Sequence, residues 1–116
     1  MKKLLQIIVI LSLFISGISF AGAYGGSKIL KGTIKSNSTI SYKVPFIANR
    51  NAFVIIYGSS NSRLECLIYD SNYLVVWEAK DPGDYCFLHW VTNSTDKFKI
   101  VVRNLGEDSD YILYTN

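Results

Sequence analysis

The 116-residue sequence holds one histidine, His89, and two cysteines, Cys66 and Cys86. A Ser-His-Asp relay would have to run through His89, which falls in mid-strand between Leu88 and Trp90, and a tetrahedral zinc site lacks its cysteine and histidine ligands. No GxSxG elbow, Walker loop or HExxH pair occurs, so the common hydrolase and nucleotide-binding machinery is excluded and the chain reads as a non-enzyme. Basic runs with interleaved aromatics are also missing. The lysines at 28, 31, 35 and 43 are scattered as on a solvated face, which argues against a nucleic-acid partner. Beyond the first 23 residues, no window carries apolar residues at helical spacing for more than two turns.

What is present begins with Met1-Lys2-Lys3, an apolar run from Leu4 to Phe20, and the small residues Ala21-Gly22-Ala23. These are the three parts of a secretory signal, and cleavage is expected after Ala23. The alternative is a retained membrane anchor, which Ser12, Ser16, Gly17 and Ser19 weaken. Export places residues 24–116 outside the cytoplasm, periplasmic or secreted, with no stable membrane insertion. Lys2 and Lys3 leave with the signal, so ten basic residues face nine acidic ones and the net charge falls to about +1. In an oxidising compartment Cys66 and Cys86 are expected to form a disulfide closing a loop of about 20 residues; the alternative is two buried thiols.

The stretch from Arg63 to Trp90 reads as three consecutive strands. Leu64, Cys66 and Ile68 alternate with Glu65, Leu67 and Tyr69, and Cys86, Leu88 and Trp90 repeat the pattern after the turn signal Asp81-Pro82-Gly83-Asp84. Upstream lie Lys28 to Ile34, the alternating strand Thr39 to Phe46 with Pro45 marking an edge, and Ala52 to Tyr57, apolar on both faces as a central strand would be. Downstream lie Lys97 to Asn104 and Tyr111 to Thr115. The expectation is one all-β domain, a jelly-roll-like antiparallel β-sandwich of about eight strands. Its predicted core holds Ile40, Tyr42, Val44, Phe53, Ile55, Leu64, Cys66, Ile68, Cys86, Leu88, Trp90, Phe98, Ile100 and Val102.

With Gly32, the strand ending in Gly58, LECLIYDSNYLVV, DPGDYCFLHW, KFKIVVRNLG and the final YILYTN, residues 24–116 resemble the bacterial pre-peptidase C-terminal domain family. The resemblance implies a β-sandwich that serves as an accessory module of exported enzymes, some related domains binding calcium or collagen-like targets. Glu65 stands where that family often carries aspartate, Cys66 where it often carries leucine, and Ser71-Asn72-Tyr73 lacks the turn glycine.

Two sites are expected. Asp70, Asp81 and Asp84, with Glu78, are candidate calcium ligands, because turns that gather hard oxygens suit that ion; turn chemistry explains the same residues. Tyr69, Tyr85, Phe87 and His89 are the candidate binding surface: the parity that turns Cys86, Leu88 and Trp90 inward turns Tyr85, Phe87 and His89 outward, and the strand from Leu64 is expected to point Leu67 and Tyr69 the same way. The functional expectation is a non-catalytic binding or accessory module for an exported protein or polysaccharide surface. Its alternative is a structural or assembly subunit with no soluble ligand.

Overall fold

The described residues form eight strands: β1 (Lys28–Ile34), β2 (Ser38–Phe46), β3 (Asn51–Gly58), β4 (Leu64–Tyr69), β5 (Val75–Gly83), β6 (Tyr85–Val91), β7 (Asp96–Asn104) and β8 (Ser109–Thr115). The computed structural model describes residues 26–116 and, for residues 80 and 81, the backbone alone; the expected signal, residues 1–23, lies outside the described residues. Two four-stranded antiparallel sheets form, ordered β1-β8-β3-β6 and β2-β7-β4-β5. This is the strand order of a jelly roll. Only the β4–β5 hairpin joins consecutive strands within one sheet; the other links between described strands cross from one sheet to the other.

The core lies between the sheets. Val44, Leu64, Cys66, Ile68, Cys86, Leu88, Trp90, Phe98, Ile100 and Val102 are buried there as the alternation predicts, and Ile40 and Tyr42 pack at its margin. Phe46 fills the space between Trp90 and Phe98, its ring centroid 4.9 Å and 5.8 Å from theirs in edge-on contacts. In β3 the expected facing is reversed. Ala52, Val54 and Ile56 enter the core, whereas Phe53 and Ile55 stand on the outer face. A central strand apolar at every position carries no parity signal, and the smaller residues took the crowded side.

The segment read as a turn, Asp81-Pro82-Gly83, is instead the end of β5. Proline is tolerated there because β5 is an outer strand of its sheet, where only alternate N–H groups serve a ladder; β2, which carries Pro45, is the other outer strand.

Cys66 and Cys86 are bonded, with Cα atoms 6.2 Å apart, and join β4 of one sheet to β6 of the other. A second cross-sheet link is the hydroxyl pair of Tyr42 on β2 and Tyr111 on β8. Burial, reinforced by that hydrogen bond, pushes the Tyr111 phenol far above its ordinary range, so it stays neutral at any working pH. The Tyr111 ring lies across Gly32, its register partner on β1, and a Cβ on Gly32 would stand 2.7 Å from the Tyr111 hydroxyl oxygen and 3.0 Å from ring carbons. Gly32→Ala is therefore expected to displace Tyr111 and lower stability by about 1–3 kcal/mol, a typical overpacking cost. Urea denaturation checks this, and an unchanged midpoint would show that the ring moves aside freely.

Candidate functional site

β6 is the last strand of its sheet, and its alternation is unbroken: Cys86, Leu88 and Trp90 buried, Tyr85, Phe87, His89 and Val91 exposed. The register sets Tyr57 opposite Tyr85, Ile55 opposite Phe87 and Phe53 opposite His89. Tyr57 and Tyr85 stack with centroids 6.2 Å apart and planes 15° from parallel, Phe53 and Phe87 at 6.0 Å and 29°, and Phe87 and His89 at 6.4 Å and 19°. Phe53 and Tyr57 are themselves buried, while Tyr85 and Phe87 are 55% and 48% exposed. The result is a ledge of open rings resting on a buried aromatic layer. Aromatic side chains lose few rotamers on contact and offer large area, so such a ledge is chemically suited to burying an apolar surface.

The fourth expected residue, Tyr69, does not join the ledge. β4 belongs to the other sheet, so Tyr69 and Leu67 point outward on the opposite side of the sandwich. Parity assigns a face within one strand but not which sheet the strand enters. Conversely, Phe53 and Tyr57 were missed as members of the site; their period-two spacing with Ile55 was the available signal.

The carboxylates are not gathered. Asp70 follows the end of β4 that pairs with Val75, and Asp84 follows Gly83, which pairs with Leu64 at the strand's other end. Those ends are separated by five residue steps, about 17 Å at 3.3 Å per residue, so Asp70 and Asp84 cannot share one ion. Asp70 serves its own turn, its Oδ1 accepting from the N–H groups of Asn72 at 2.8 Å and Leu74 at 2.9 Å. Glu78 lies on β5 opposite Leu67, the Asp81 side chain is outside the description, and among the described residues no group of three metal-ligating side chains is found.

Two carboxylates titrate below the usual range. Asp96 is lowered chiefly by the Ser71 hydroxyl donating at 2.6 Å, and Asp108 by the Ser36 N–H at 2.8 Å with help from Lys35 at 3.4 Å. Asp96 opens β7, and Asp108 lies in the β7–β8 turn.

No protein-family model matches the chain, and no curated protein sequence does. Solved structures do match its fold. The periplasmic inhibitor of g-type lysozyme from Aeromonas hydrophila, PliG, aligns over 85% of this chain and 91% of its own with a TM-score of 0.55 and 18% identity. The Yersinia pseudotuberculosis-derived mitogen aligns over 78% of this chain and 85% of its own, with a TM-score of 0.57 and 14% identity. At these identities the likeness establishes the sandwich fold and no shared chemistry.

Proposed function

We propose that this chain is an exported, non-catalytic module that binds a protein partner through the ledge formed by Tyr85, Phe87, His89 and Val91. The observation that carries this reading is the stacked register of open rings over Phe53 and Tyr57 on an outer strand. Exposed aromatic patches of this kind mark interaction sites on small exported domains, and tyrosine-rich centres supply most of the energy in protein interfaces. Support also comes from the fold. One of its structural neighbours is a periplasmic inhibitor, a protein that acts by engaging another protein. The resemblance to pre-peptidase C-terminal domains, which accompany exported enzymes, points the same way, as does the disulfide for an exported chain.

The test compares wild type with Tyr85→Ser/Phe87→Ser/His89→Ser against a panel of exported hydrolases that includes g-type lysozyme. A partner held by the wild type is expected to be lost by about 30-fold or more, the effect of one interface hot spot. Equal binding by a folded triple variant would remove the ledge as the site. A second reading, an assembly subunit, is favoured by one feature of the same place: the rings sit on a sheet edge, where a strand of another copy could add. A concentration-dependent rise in mass, abolished in the triple variant, would select it.

A further inference from the structure

A second site stands on the other sheet, independent of the ledge. Lys43 on β2 and Lys99 on β7 are register partners, directly opposite each other on the outer face, and Lys97 lies one step along on the same side. Like charges in that position oppose sheet pairing. None of the three ammonium groups makes an ion pair among the described residues. The two nearby carboxylates are occupied otherwise: Asp96 by the Ser71 hydroxyl and the Lys97 N–H, Asp70 by the N–H groups of its turn.

The β4–β5 turn closes the same place. Tyr73 adopts a φ of 61°, in the left-handed region that a bulky side chain rarely enters, and its ring is 69% exposed. The turn would form as well with glycine there. Its backbone bonds, Tyr73 N–H to the Asp70 carbonyl at 3.1 Å and Asp70 N–H to the Leu74 carbonyl at 3.0 Å, use no tyrosine side-chain atom. Ser71 fastens the turn to Asp96 at the start of β7, so the ring's base is held beside the lysines. Lys43, Lys97, Lys99 and Tyr73 line an open cavity of about 230 Å³ together with Ser71, Asp70 and Asp96, so that three positive charges face two negative ones that are held by neutral donors. Two locally unfavourable choices, a like-charge pair and a left-handed tyrosine, thus converge on one hollow of monosaccharide size.

We infer that this hollow binds an acidic sugar, a hexose-sized ring bearing a carboxylate or phosphate, with the Tyr73 ring against the sugar face and Lys43, Lys97 and Lys99 on the anion. Lysines act here as mobile point charges, suited to an anion of variable geometry. An aromatic ring supplies the flat apolar surface that a sugar's C–H face matches.

The experiment titrates the folded protein by calorimetry at low salt with oligogalacturonate, glucose 6-phosphate, a neutral oligosaccharide and inorganic phosphate. Whichever acidic sugar binds names the source of the anion. Lys43→Ser/Lys99→Ser is expected to weaken that binding about tenfold or more. Tyr73→Gly is expected to weaken it about fivefold while the melting temperature holds or rises, which separates lost contact from lost fold. Three results overturn the inference: no acidic sugar binds, inorganic phosphate binds as well as either acidic sugar, or both variants bind as the wild type does. The triple variant of the aromatic ledge should bind the sugar normally, so either site can fail without the other.

Discussion

Asn104→Ala is expected to lower the unfolding free energy by about 3 kcal/mol, near the upper end of single-site effects. Asn104 is fully buried at the end of β7, and its amide is used completely. Its Oδ1 accepts from the N–H of Arg63 at 3.2 Å and of Gly106 at 2.9 Å, and its Nδ2 donates to the carbonyls of Ile34 at 3.3 Å and Glu107 at 2.6 Å. One side chain thereby closes the end of β1, the approach to β4 and the β7–β8 turn. Alanine strands two donors and two acceptors at once, and each one kept from water costs about 1–3 kcal/mol, less what solvent entering the gap recovers. The expected fall in melting temperature is about 15 °C for a domain of this size. Calorimetry checks it, and a fall of only two or three degrees would mean that water replaces the amide at no loss.

Removing the disulfide should cost as much. Cys66→Ala/Cys86→Ala releases a loop with a sequence separation of 20, which by chain entropy alone is worth about 3 kcal/mol. The location adds to this, because the bridge joins the two sheets in their interior, where Cys66 and Cys86 are 1% and 3% exposed. Denaturation of the wild type with and without reductant, beside the double variant, should give one common destabilised midpoint for the reduced and substituted forms. A reduced protein as stable as the oxidised one would contradict the entropic account.

Most of the sandwich was legible because half-buried strands announce themselves. Cys86-Phe87-Leu88-His89-Trp90 and Phe98-Lys99-Ile100-Val101-Val102 each turn one residue in and the next one out, and both face as their alternation says. β3 was not legible in its facing, since Phe53-Val54-Ile55-Ile56 offers apolar residues to both sides. The ledge was half legible: β6 declared Tyr85, Phe87 and His89, but Tyr69 was assigned beside them through a sheet membership that only long-range pairing decides. The lysine hollow was invisible, because Lys43 and Lys99 are 56 positions apart and meet only through the β2–β7 register. Asn104 hid for a similar reason. Asparagine before Leu105-Gly106 reads as turn chemistry, and nothing local says that two distant backbone segments, at Ile34 and Arg63, converge on it as well.

The strand order also fixes when the fold can be completed. In the sheet β1-β8-β3-β6, the eighth strand in chain order is inserted between the first and the third. Until β8 arrives, β1 has no ladder partner and β3 has an open flank, while the other sheet can already assemble on the β4–β5 hairpin and β7. A chain folded up to β7 is therefore half a sandwich with an unfilled slot, and docking of the seven-residue β8 closes the domain rather than merely extending it.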